Sequence, residues 1–209
     1  MSASRFGWYA HSPSSAKFAP LIGALIGALG GAAFWVAALV WPSSVAVILS
    51  MALTASLIWR SPSSLPPTRL ELAGGLFCLL IKYNALMALS AAKLPFVAPA
   101  NAALALIMVC AHAASFALMV SVSSVRPINE AARIGAGSLL LALLLGLAPA
   151  ALLGIPGLTG LAAAILGSLG LIAYLKFKGV SAGDGELAMA QLLAETGFYL
   201  GALATWSYV

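Results

Sequence analysis

Lys82, His112 and Glu195 each stand in the middle of a long apolar run: LFCLLIKYNALMAL, LIMVCAHAASFALMV and AMAQLLAETGFYLGALA. A charge at the centre of an apolar span costs about 2.5–3.5 kcal/mol even on a lenient insertion scale. Lys82 and Glu195 must therefore find a partner or a wet cavity. Two roles are open to such a set: an ion pair that fixes helix register, and contact with a polar ligand. The stretch GVSAGDGELA adds Asp184 and Glu186 between glycines. These carboxylates suit the cap and first turn of a helix, where negative charge is favoured. They also suit a loop that presents oxygens to a metal or a polar substrate. A third candidate is the basic, proline-rich SLIWRSPSSLPPTRLEL, in which Arg60 and Arg69 stand ready for the anionic headgroups of the membrane.

The elements that must position these residues are membrane helices. Of the 209 residues, 63% are hydrophobic and only 7% charged. Soluble domains carry about 25% charged residues, so this chain lacks the polar surface to live in water. An all-α, polytopic membrane bundle follows, organised as one domain over residues 18–209 behind a segment 1–17. That segment lacks the apolar h-region and cleavage site of a signal peptide. Cys78 and Cys110 fall inside apolar runs and read as reduced thiols packed like small hydrophobes.

A span needs roughly 20 apolar residues to cross a core about 30 Å thick. Seven candidates emerge: Phe18–Val40, Val45–Trp59, Glu71–Ala92, Phe96–Ser121, Ile134–Leu153, Leu158–Leu175 and Leu187–Trp206. The second is short; without it the count is six. With it, the cations alternate. Arg5, Lys17, Arg60, Arg69, Arg126, Arg133, Lys176 and Lys178 fall on one side, and Lys93 alone on the other. The positive-inside rule then places the N-terminus in the cytoplasm and the C-terminus outside. Cations scattered singly between spans orient a membrane protein and do not build a nucleic-acid groove, so no nucleic-acid partner is expected.

The helical rise of about 1.5 Å per residue sets depth. Lys82 lies roughly 16 Å into its span, Glu195 roughly 12 Å into the last, and His112 roughly 13 Å from the cytoplasmic end of its antiparallel neighbour. The three share a depth and are expected to meet, Lys82 pairing with Glu195. Gly23, Gly27 and Gly31, and Gly160, Gly167 and Gly170, form small-residue stripes that let helices approach closely. Packing within the bundle is the favoured reading of these stripes, and contact with another membrane protein the alternative. The lipid bilayer is the first partner. Transport is a further reading, prompted by the ionisable residues within spans.

Four stretches carry a resemblance. The run FAPLIGALIGALGGAAFWVAALVWPSSVAVILSMALTASL, then LFCLLIKYNALMAL, VCAHAASF and GVSAGDGELAMAQLLAETGFYLGALA, resembles cobalamin synthase, the adenosylcobinamide-GDP ribazoletransferase, in family order from Phe18 onward. The resemblance implies a magnesium-dependent membrane enzyme that joins adenosylcobinamide-GDP, a corrinoid substrate, to α-ribazole or its 5′-phosphate with release of GMP. It sets Lys82, His112, Asp184 and Glu195 on polar positions of the family. Arg60 and Arg69 would grip phosphates, and Asp184 and Glu186 would hold magnesium.

The chain also departs from that pattern. After LSMALTASL the family has an aspartate-rich motif of the form D-G-x-A-D-x-x-D-G; here the sequence runs directly into IWRSPSSLPPTRLEL. Phe116 stands where the family often has arginine, and Asp184 follows alanine and glycine in place of threonine and glycine. Magnesium wants several oxygen ligands, and the chain has five carboxylates in all. A second expectation therefore stands beside the enzyme: a non-catalytic relative with a degenerate active site, serving as membrane scaffold or accessory subunit of a larger complex.

Overall fold

A computed structural model describes residues 15–58, 69–91, 100–127 and 134–206, the side chains at 69–72, 100–101 and 184 excepted. Seven α-helices are described. A 3-10 turn, Ala16–Phe18, leads into α1 (Ala19–Ala37), followed by α2 (Ser43–Ile58), α3 (Arg69–Ser90) and α4 (Ala100–Val125). Then come α5 (Ala136–Leu147), which tightens into a 3-10 segment at Ala148–Leu153, α6 (Ile155–Lys178) and α7 (Asp184–Trp206). Among the described residues there is no strand.

Six stretches are long and apolar enough to cross a membrane: α1 with its leading turn, α3, α4, α5 with its 3-10 extension, α6 and α7. The chain is a multi-pass membrane protein of six or seven spans. α2 is the short one. Its 16 residues reach roughly 24 Å at 1.5 Å each, less than the hydrocarbon core. Outward-facing Leu25, Trp35, Ile48, Phe77, Leu144 and Leu166 are all exposed, an outer surface suited to lipid.

α4 is the axis of the bundle. Its most apolar window is 83% buried, against 22% for α5, and α1, α5, α6 and α7 all pack on it. Small residues make that closeness possible. A Cβ on Gly23 would lie 2.5 Å from the His112 carbonyl oxygen, and one on Gly27 2.5 Å from that of Met108. On Gly31 it would meet the Ala105 Cα at 2.7 Å. The α1 stripe thus packs within the bundle, against α4. The second stripe divides. Gly160 is pressed on Phe198, whereas Gly167 makes ordinary contact with Leu193 and Gly170 faces open space. The close α6–α7 approach is instead completed by Gly197 and Gly201, which sit against Ala163 and Thr159.

The fifth span differs from the uninterrupted Ile134–Leu153 expected. Pro149 has no N–H to continue the α-helical ladder, and the chain winds into 3-10 geometry there. The Pro149 carbonyl accepts the Cys110 thiol of α4 at 3.3 Å. Gly154 alone then joins this segment to α6, with φ 65° and ψ −137°, a region that side chains avoid. α6 also runs further than the Leu158–Leu175 span, so Lys176 and Lys178 lie in its last turn, where cations complement the helix dipole.

Gly179, at φ 68°, closes α6. The N–H of Val180 donates to the Leu175 carbonyl at 3.1 Å, and that of Gly179 to Lys176 at 3.2 Å, the Schellman pattern. Arg126, just past α4, stitches this turn down. Its guanidinium donates to the Val180 carbonyl at 2.8 Å and to that of Leu175 at 3.4 Å. Its own carbonyl accepts the Ala182 N–H at 2.9 Å. The turn that delivers Asp184 and Glu186 into α7 is therefore anchored to the end of α4.

Candidate functional site

The expected meeting of Lys82, His112 and Glu195 takes place. α3 brings Lys82, α4 His112 and α7 Glu195 to one point in the core, each at most 4% exposed. Lys82 Nζ lies 2.6 Å from Glu195 Oε1, an ion pair of hydrogen-bond length. His112 Nε2 is 3.2 Å from the same oxygen. A fourth member was not foreseen: the Tyr199 hydroxyl donates to Oε1 at 3.1 Å. Tyr199 follows Glu195 by four residues, one helical turn, and that spacing on a polar stripe was its sequence signal. Its ring also lies 5.9 Å from Lys82 Nζ, within cation–π reach.

Three groups thus converge on one carboxylate oxygen. Two charges taken out of water are tolerated only when their geometry is good and further hydrogen bonds help satisfy them. Here the ammonium and the phenol supply those bonds. The histidine is held from behind, its Nδ1 lying 2.9 Å from the Met108 carbonyl. Its Nε2, although close to Glu195, is out of line for a hydrogen bond. With Thr196 Oγ1 it is one of two buried side-chain polar atoms lacking one among the described residues.

The cluster is closed on the α4 side and bordered by a small cleft on the other. A narrow cleft of about 20 Å³, room for one water, runs between α2, α3 and α7. Ala55, Leu79, Lys82, Gln191 and Glu195 line it.

The other candidate residues stay apart from this cluster. Asp184 opens α7, its side chain outside the description, and Glu186 follows in the first turn. Glu186 and Glu195 are nine positions apart on α7, roughly 13 Å along the axis, too far to share one ion. Arg60 lies outside the described residues, as does the side chain of Arg69. Among the described residues, no three His, Cys, Asp or Glu side chains gather where they could hold a metal. Glu195 has an ammonium at 2.6 Å, the opposite of what a cation site needs. The described donors at this cluster do not fit magnesium.

Phe116 shows what fills the position that the resemblance gives to arginine. Only 3% exposed, it packs in a core cluster with Ile26, Met119 and Val120. Its ring stands where a Cβ on Gly23 would come within 2.9 Å. An arginine there would set a guanidinium among apolar neighbours.

No family model matches the chain, and no solved structure does. One curated protein shares a stretch of it. That protein is the adenosylcobinamide-GDP ribazoletransferase of Leptothrix cholodnii, 47% identical over 51 residues. The match spans 22% of this chain and 19% of the relative's length. Identity confined to so short a stretch supports a distant relationship and no more.

Proposed function

We propose that this protein is a cobalamin-synthase-like membrane protein that keeps a helical scaffold related to that family without its transferase chemistry. The observation that carries this reading is the convergence of Lys82, His112 and Tyr199 on a single oxygen of Glu195. Lys82 and Tyr199 hold the Glu195 carboxylate between α3 and α7, beside His112 of α4, and act as a latch that sets helix register. The buried Phe116 supports the same reading, as does the missing aspartate-rich motif. In this role the chain is an accessory or scaffold subunit in the bacterial inner membrane, its N-terminus in the cytoplasm.

A second reading is favoured by the 51-residue match: a surviving ribazoletransferase that draws on Asp184 and its neighbours. Purified protein given adenosylcobinamide-GDP, α-ribazole 5′-phosphate and magnesium separates the two. We expect no GMP above the protein-free blank while the Leptothrix enzyme turns over in parallel. GMP release lost in Asp184→Ala would refute the scaffold reading.

A further inference from the structure

The surroundings of His112 fix where its protons can sit. Nδ1 faces the Met108 carbonyl at 2.9 Å, and a carbonyl only accepts, so Nδ1 carries a proton. Nε2 is left as the nitrogen with the lone pair, pressed to 3.2 Å from Glu195 Oε1 and lacking a hydrogen bond. Two acceptors this close inside a bundle repel. A proton on Nε2, with a small turn of the ring, converts that conflict into a charge-assisted hydrogen bond.

The other groups around this pair are few. α3 supplies Lys82, and α7 supplies Tyr199 with Glu195 itself. α4 adds the buried Cys110 thiol, engaged with the Pro149 carbonyl. α1, α2 and α5 contain no ionisable residue, and those of α6, Tyr174, Lys176 and Lys178, stand exposed near its far end. The cleft between α2, α3 and α7, with room for one water, borders Glu195 and not His112.

We propose that His112 Nε2 is an exchangeable proton-binding site within the membrane bundle, loaded from the cleft through Glu195. The ligand is a proton, and no other reactant enters. A proton from water in the cleft binds the carboxylate, then passes from Oε1 to Nε2. One N–H bond forms, and the carboxylate ends as it began. With the Lys82–Glu195 pair in place, the cluster moves from neutral to a charge of +1. The inference rests on the buried cluster and goes beyond the scaffold reading.

The test is ¹⁵N NMR of histidine-labelled full-length protein in nanodiscs, titrated between about pH 5 and 8, the range in which imidazoles change charge. The chain has two histidines, His11 and His112, so His112→Gln assigns the signals. Nδ1 of His112 should stay protonated throughout while Nε2 passes from N–H to lone pair. Glu195→Gln should lower the proton affinity of His112 about tenfold, one pH unit. Should that variant not fold, Glu195→Asp withdraws the oxygen by one methylene and should lower the affinity in the same direction. An Nε2 signal fixed in either state across the range overturns the proposal, as does a midpoint unmoved in the folded Glu195 variant. The titration uses no transferase substrate, so its failure and a positive GMP assay are separate results.

Discussion

The sharpest quantitative consequence concerns Lys82→Met, which removes the ammonium and keeps most of the side-chain volume. Glu195, 1% exposed, would then be left with the Tyr199 hydroxyl at 3.1 Å as its hydrogen-bond donor. Breaking a buried ion pair by removing one partner costs about 3–5 kcal/mol. The unfolded state of a membrane protein keeps its helices in lipid and finds some substitute contacts, so the lower end, about 3 kcal/mol, is expected. That is roughly two decades in the folded-to-unfolded ratio. Glu195→Gln should cost a similar amount by stranding the ammonium. The double variant Lys82→Met/Glu195→Gln removes both charges and should be no worse than either single change, a coupling of about 3 kcal/mol, within the range of close charge pairs. Unfolding curves in detergent or by steric trapping would measure all three. Single variants that each cost under about 1 kcal/mol, with effects that add in the double, would refute the latch.

Other outcomes follow from the packing. Gly27→Ala sets a methyl 2.5 Å from the Met108 carbonyl oxygen and should destabilise by about 1–3 kcal/mol. Gly170→Ala, with nothing within 4 Å, should be neutral or gain up to about 1 kcal/mol from helix propensity; thermal unfolding of the pair compares them. Arg126→Ala removes the guanidinium from the Val180 and Leu175 carbonyls. Amide exchange over residues 180–183 should quicken several-fold, about 1 kcal/mol of local stability for partly exposed bonds of this kind. Alkaline phosphatase fused after Trp206 should be active if the short α2 crosses the membrane, and a fluorescent protein should glow there instead if it does not.

Much of this site was legible because membranes make polarity expensive. A lysine and a glutamate within apolar runs had to be reconciled, and rise per residue along antiparallel spans sets His112 at their depth. Tyr199 escaped because a tyrosine in a span reads as an ordinary apolar aromatic until the group one turn behind it is taken into account. Arg126 was legible as an orienting cation but not as a clamp on the α6–α7 turn, since that contact depends on where two distant helix ends meet. The α1 glycine stripe announced a close neighbour without saying which; α4 is fixed by three-dimensional packing alone. Pro149 was visible in the sequence, yet hydropathy averages over a proline, and the 3-10 winding and one-residue turn at Gly154 were invisible to it.

The order in which the helices are made gives the buried cluster a further meaning. Lys82 on α3 and His112 on α4 leave the ribosome well before Glu195 on α7, which lies 113 positions beyond Lys82. Until α7 arrives, the lysine has no carboxylate from its own bundle at that depth, and α4 shows lipid or the insertion machinery a face built for burial. The final helix thus brings the carboxylate that pairs with a charge laid down four helices earlier. A chain that stalls or is cut before α7 carries an unpaired ammonium in the bilayer, the kind of exposed polarity by which membrane proteases can tell unfinished products from finished ones.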